Sequence, residues 1–133
     1  GNTKKAVELL AQKLEEKGCP KVTVFDLARD DMAEAVEEAF RYGKLVLATI
    51  TYNGDIFPFM RTYIENLTER SYQNRTIGLI ENGSWAPAAA RIMQGMFEKS
   101  KNITWLENNV KITSSLSEAN EAEIDAMAEE LCK

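Results

Sequence analysis

Three short stretches of the chain combine residue types that can hold a flat, charged ligand. The first is Gly1-Asn2-Thr3, directly ahead of an apolar repeat at Ala6, Val7, Leu10 and Leu14. A helix beginning there exposes backbone N–H groups and a partial positive charge. The Gly lets an anion approach the backbone, and the Asn and Thr side chains add donors, so a phosphate needs no Lys or Arg there. As ordinary structure, Asn2 and Thr3 are simply good helix caps. The second stretch is Thr49-Ile50-Thr51-Tyr52-Asn53-Gly54, where Tyr52 closes an apolar run and Asn-Gly marks a turn. The third is Asn82-Gly83-Ser84-Trp85, again after an apolar run and ahead of Ala86-Pro87. A Trp at a loop tip is costly to leave in water and covers something apolar. Each aromatic alone is equally explained by packing on its own neighbours. Together the three stretches suit a planar ring held between Tyr52 and Trp85, with a phosphate tail on residues 1–3.

For these stretches to meet, the elements carrying them must end at one edge of a common sheet. The hydropathy pattern supports this. Helical spacing runs over 3–17 to a stop at Gly18, and "KVTVFDL" (21–27) reads as a strand. A second helix covers 30–43, opened by Asp30 and Asp31, with Met32, Val36 and Phe40 on one face. "KLVLATI" (44–50) is a continuous apolar run, the pattern of a strand buried on both faces. A helix at 57–70 carries Pro58 in its first turn; a strand lies within 74–83, and a helix spans 86–100. Residues 102–113 form a strand interrupted at Asn108 and Asn109, and the remainder is a helix whose Ser115 and Glu118 fit a capping box. Strands alternating with helices predict a parallel sheet with helices on both faces, a single α/β domain over 1–133. Ligands bind such sheets beyond the carboxyl ends of the strands. A doubly wound unit of this size has five strands and five helices; the strand before residue 1 is the one lacking.

"GNT", "TYNG" and "NRTIGLIENGSWAP" resemble the flavodoxin-like FMN domain of A-type flavoproteins, the flavodiiron proteins, over essentially the whole chain. The resemblance implies a three-layer sandwich with a parallel sheet of order 2-1-3-4-5, the first strand absent from this chain. It implies FMN as cofactor. Gly1, Asn2 and Thr3 match the end of the loop that wraps the FMN phosphate. Thr49, Ile50, Thr51, Tyr52, Asn53 and Gly54 match the loop bordering the isoalloxazine ring. Asn82, Gly83, Ser84 and Trp85 match the loop that closes its other side. In related flavodoxins a peptide near a Gly flips on reduction, a role that falls by analogy to Gly54. Ile50 stands where the family usually has Pro. The absent strand would lie between 21–25 and 44–50. Either residues upstream of Gly1 supply it, which is the preferred reading, or a rearranged or swapped strand fills its place.

The function implied is electron transfer, with a redox partner protein or a fused metal-containing domain as acceptor; a homodimer is compatible. The chain offers no catalytic acid, base or nucleophile, so the cofactor carries the redox chemistry. Stacking on Tyr52 and Trp85 in an acidic protein disfavours the anionic reduced flavin. Two other functions fit the same residues: an NAD(P)H or quinone-type flavin reductase, and a cofactor-free module that binds a protein. A phospho-receiver domain does not fit, since the loop at residue 1 is Gly-Asn-Thr.

Composition bounds these readings. The chain has 133 residues, 44% of them hydrophobic, with net charge −5. It contains no basic run, which argues against nucleic-acid binding. No apolar stretch approaches the ~20 residues of a membrane helix. There is neither a signal peptide nor an initiator Met, so the first residue reads as a processed or artificial end and the expected compartment is the cytoplasm. Cys19 and Cys132 are then expected as reduced thiols. Histidine is absent, which excludes Ser-His-Asp and Cys-His catalysis within the chain and argues against a zinc or di-iron site. Asn66, Asn74, Asn82 and Asn102 sit in N-x-S/T stretches, read as chance matches.

Overall fold

The protein is described here by a computed structural model covering residues 2–19, 21–52, 55–83, 89–113 and 115–132, with Thr51 and Tyr52 represented by their backbone. Helix α1 (Asn2–Glu16) places Ala6, Leu10 and Leu14 on its buried face. It stops where Gly18 turns to φ +84° and the Cys19 N–H bonds back to the Leu14 carbonyl. Because the helix starts at Asn2, Asn2 and Thr3 occupy its first turn instead of capping it.

Helix α2 (Met32–Arg41) is capped by Asp31, whose side chain accepts the Ala33 N–H. Strand β1 (Lys44–Tyr52) turns back into β2 (Asp55–Ile56) as an antiparallel hairpin, with Tyr52 opposite Asp55. A plain turn was expected there. Helix α3 (Pro58–Glu69) begins at its proline, as predicted. Strand β3 (Arg75–Asn82) leads through the third loop to α4 (Ala89–Met96). The helix predicted at 86–100 ends early, with 97–100 in turns and a bend; 86–88 lie outside the described residues.

The last strand is split, as the sequence suggested, into β4 (Ile103–Trp105) and β5 (Val110–Ile112). Asn109 bridges the gap: its Oδ1 accepts the Leu79 N–H at 2.8 Å and its Nδ2 donates to the Leu106 carbonyl at 2.9 Å. One side chain thereby replaces a missing ladder bond of β3. Leu106 lies over Gly78, where its Cδ1 would stand 2.5 Å from any added Cβ. Helix α5 (Glu118–Leu131) is capped by Ser117 and Asn120, not by the predicted Ser115 and Glu118. Asn120 wins because its Oδ1 takes the Ser117 N–H while its Nδ2 reaches the Lys111 carbonyl.

The sheet runs β2-β1-β3-β4, with β5 also beside β3; β1, β3, β4 and β5 are parallel. Helices α2, α3 and α4 cover one face, packing on Leu47, Ile77 and Leu79. Helices α1 and α5 cover the other, on Ile80, Val110 and Ile112. This is the three-layer α/β sandwich expected.

Two strand expectations need correction. Residues 21–26 form no ladder among the described residues. Their alternation survives, since Val22 packs with the α1/α5 core and Phe25 with the opposite one. A strand, however, needs a hydrogen-bonding neighbour, and the strand expected between 21–25 and 44–50 is not among these 133 residues. For the same reason β1 is not buried on both faces: Leu47 and Thr49 are buried, while Val46, Ala48 and Ile50 are half-buried.

The cysteines are a third correction. Cys19 and Cys132 form a disulfide, with Cα atoms 6.1 Å apart and a sequence separation of 113. It ties the exit of α1 to the end of α5, alongside ion pairs of Lys13 and Lys17 with Asp125. Of the N-x-S/T asparagines, Asn74 and Asn102 are turn residues with φ of 58° and 53°, bonded to each other just before β3 and β4. Among the described residues, no helix is long and apolar enough to cross a membrane.

Candidate functional site

The carboxyl ends of β1, β3 and β5 lie level. Thr49 pairs with Glu81 and Glu81 with Lys111; Ile50 pairs with Asn82 and Asn82 with Ile112. Residues in register on neighbouring strands share a face. Thr49, Glu81 and Lys111 therefore lie on the face of α3 and α4, and Ile50, Asn82 and Ile112 on the face of α1 and α5. The Gly83 N–H donates to the Ile112 carbonyl at 3.0 Å, which continues the β3–β5 pairing into the third loop.

Helix α1 begins at this same edge. The Asn82 Nδ2 donates to the Thr3 Oγ1 at 3.2 Å, joining residues 79 apart in sequence. The first turn of α1 carries no acidic residue. Helices α2 and α5 differ, with Glu34 in one and Glu118 and Glu121 in the other. An anion thus meets no like charge from the opening turn of α1. Two of the three predicted stretches are brought together by this contact.

The third stretch arrives through the hairpin. Thr49 is 5% exposed, and its hydroxyl donates to its neighbour, the Ile50 carbonyl, at 3.5 Å, its one side-chain hydrogen bond among the described residues. Thr51 and Tyr52 stand opposite Ile56 and Asp55, so the chain returns alongside the last two residues of β1. Asp55 accepts the Ile56 N–H and an Arg61 N–H. First the Ile56 amide and then the Arg61 guanidinium hold its carboxyl below the usual carboxylate range. Arg61 also reaches the Met96 sulfur, which links the hairpin to α3 and α4. Phe57 and Phe59 form a tilted pair, centroids 5.5 Å apart, on the outer rim of this corner.

Of the predicted site residues, Asn2, Thr3, Thr49, Ile50, Asn82 and Gly83 are placed at one edge of the sheet. Gly1, Asn53, Gly54, Ser84 and Trp85 lie outside the described residues, and the side chains of Thr51 and Tyr52 are not described. Sequence reading overlooked Asp55 and Arg61, whose spacing matches no helical or strand pairing. It also passed over Glu81, although a charged residue closing the apolar run 77–80 was a usable signal.

An open parallel sheet with helices on both faces, and α1 opening at its carboxyl edge, defines the architecture. The fold is that of the flavodoxins. Rubredoxin:oxygen oxidoreductase from Desulfovibrio gigas superposes with a TM-score of 0.88 at 17% identity, over 97% of this chain and 32% of its own. The flavodiiron protein of Giardia intestinalis gives 0.86 at 12% identity, over 99% of this chain and 34% of its own. Oxidised flavodoxin 1 of Bacillus cereus gives 0.82 at 15%, over 99% of this chain and 90% of its own. The flavodoxin-like chain therefore spans about a third of these two larger proteins and most of the flavodoxin. No known family and no characterised sequence matches it by sequence comparison.

Proposed function

We propose that this flavodoxin-like chain binds FMN at the carboxyl edge of its sheet and serves as an electron-transfer domain. The observation that carries the reading is the Asn82–Thr3 hydrogen bond, which sets the opening turn of α1 beside the end of β3. The residues there fit the cofactor. Gly1, Asn2 and Thr3 would take the phosphate on backbone amides and short polar side chains. Residues 49–54 and 82–85 would border the ring, with Tyr52 and Trp85 as its two aromatic neighbours. Thr49 contributes a buried hydroxyl whose oxygen can still accept a hydrogen bond from the ligand. Bound FMN supplies transfer of one or two electrons, which no side chain of this chain performs alone.

The acceptor, in this reading, is a metal-containing domain or partner. The chain has no histidine to build such a centre itself, and its flavodiiron likenesses are about three times its length.

Titration with FMN tests the proposal. Quenching of flavin fluorescence with a shifted absorbance band is expected, and Thr3→Val together with Asn82→Ala should weaken it about ten-fold, the worth of roughly one net hydrogen bond. A chain that leaves FMN fluorescence unchanged overturns the proposal and favours a cofactor-free interaction module. Bleaching of bound FMN by NAD(P)H alone would reassign it as a flavin reductase.

A further inference from the structure

Two side-chain oxygens among the described residues are shielded from solvent without a hydrogen-bond partner: the Tyr72 hydroxyl and Glu81 Oε1. Their settings differ. Tyr72 lies ahead of β3, at the edge away from the ligand loops, and packing accounts for its ring. Phe40 meets it edge-on at 5.1 Å, Phe97 lies at 6.2 Å, and the Arg75 guanidinium sits 5.1 Å over its face. Glu81 as a residue is only half-buried, and no comparable packing accounts for its one shielded oxygen. It ends the apolar run of β3 at the carboxyl edge, where a flexible Glu could turn its carboxyl into water. Its cross-strand neighbours do not satisfy it either. Thr49 spends its hydroxyl on the Ile50 carbonyl, and Lys111 on β5 is exposed and makes no ion pair with it.

We propose that Glu81 is a further FMN-contacting residue, its buried Oε1 accepting a hydrogen bond from an O–H or N–H of the bound flavin. The inference rests on the FMN reading above. A buried acceptor without a donor is unfavourable in the ligand-free chain. It becomes favourable once a ligand brings the donor, so the position trades stability for binding. Such a trade is expected at sites and not in cores.

The test compares wild type, Glu81→Gln and Glu81→Leu by two measurements: the thermal midpoint without FMN, and the FMN dissociation constant from fluorescence quenching. Glu81→Leu should melt at or above the wild-type temperature yet bind FMN at least ten-fold more weakly. Glu81→Gln keeps a carbonyl acceptor and should bind within about three-fold of wild type, as expected where the acceptor and not the charge is used. Lumiflavin, which keeps the ring N–H but lacks the ribityl hydroxyls, identifies the donor. A ten-fold loss repeated with lumiflavin assigns the ring, and a loss seen only with FMN assigns the ribityl chain. Equal FMN binding by wild type and Glu81→Leu overturns this inference alone. So does a fall in midpoint that accompanies the weaker binding, since Glu81 would then be a structural residue. A wild-type chain that ignores FMN removes both this inference and the function it rests on.

Discussion

Strands β1 and β3 lie side by side from Lys44 opposite Thr76 to Ile50 opposite Asn82, yet their surroundings differ. Strand β3 has β1 on one flank and β4 and β5 on the other, and its residues 77–80 are all buried. Strand β1 has β3 on one flank; on the other, among the described residues, only β2 pairs with its last two positions. Its residues facing α1 and α5 are half-buried. Both runs are apolar and β-branched, so composition does not explain the contrast. What differs is the second neighbour. An apolar parallel strand becomes core only when both flanks are laddered and both faces are covered.

Hydrogen exchange gives the widest readout of this contrast. Amides of 77–80 should exchange on the order of a thousand-fold more slowly than those of 21–26, which open without breaking a ladder. Equal protection of the two segments would show that 21–26 has found a pairing partner. Truncation gives the next effect. Ile80→Ala should cost about 2–5 kcal/mol in chemical denaturation, and Val46→Ala on β1 about 1 kcal/mol. Similar costs at the two positions would mean that β1 is as fully packed as β3.

The disulfide sharpens the comparison from the side of α1, which covers the half-buried face of β1. Cys132→Ser, or reduction with a dithiol, should lower stability by about 2–4 kcal/mol, because the bridge closes a loop of 113 positions. Alkylation of the unreduced protein should leave both cysteines unlabelled; labelling would restore the expectation of free thiols. The smallest effect concerns the repair within β3. Asn109→Ala leaves the Leu79 N–H without its acceptor and should cost about 1–3 kcal/mol. Asn108→Ala, which removes only an exposed contact to Glu130, should cost under about 0.5 kcal/mol.

The strand ends and helix start that carry the candidate site were legible because their signals are local. Gly-Asn-Thr ahead of a helical repeat, and short polar loops after apolar runs, announce strand ends and helix starts without knowledge of the fold. The Asn108-Asn109 break in the last strand was readable for the same reason. The capping box was misplaced because Ser115 and Ser117 are equivalent in sequence. They separate only when Asn120 is seen to bond the Lys111 carbonyl of β5. The hairpin behind Tyr52 was missed because its return strand is only Asp55 and Ile56, too short for any periodicity.

By itself the sequence determined the alternation of helices and strands, the parallel sheet this requires, and the three loops able to meet at its carboxyl edge. Side-chain periodicity and turn chemistry act over a few residues, so they are written in the order of the chain. Tertiary structure alone decided that Asn82 reaches Thr3, that Cys19 meets Cys132, that Glu81 turns a carboxylate oxygen inward, and that 21–26 runs without a ladder among the described residues. Each of these depends on a partner, or the lack of one, far away in sequence. Hydrogen bonds and burial respond to distance in space, which no local pattern records.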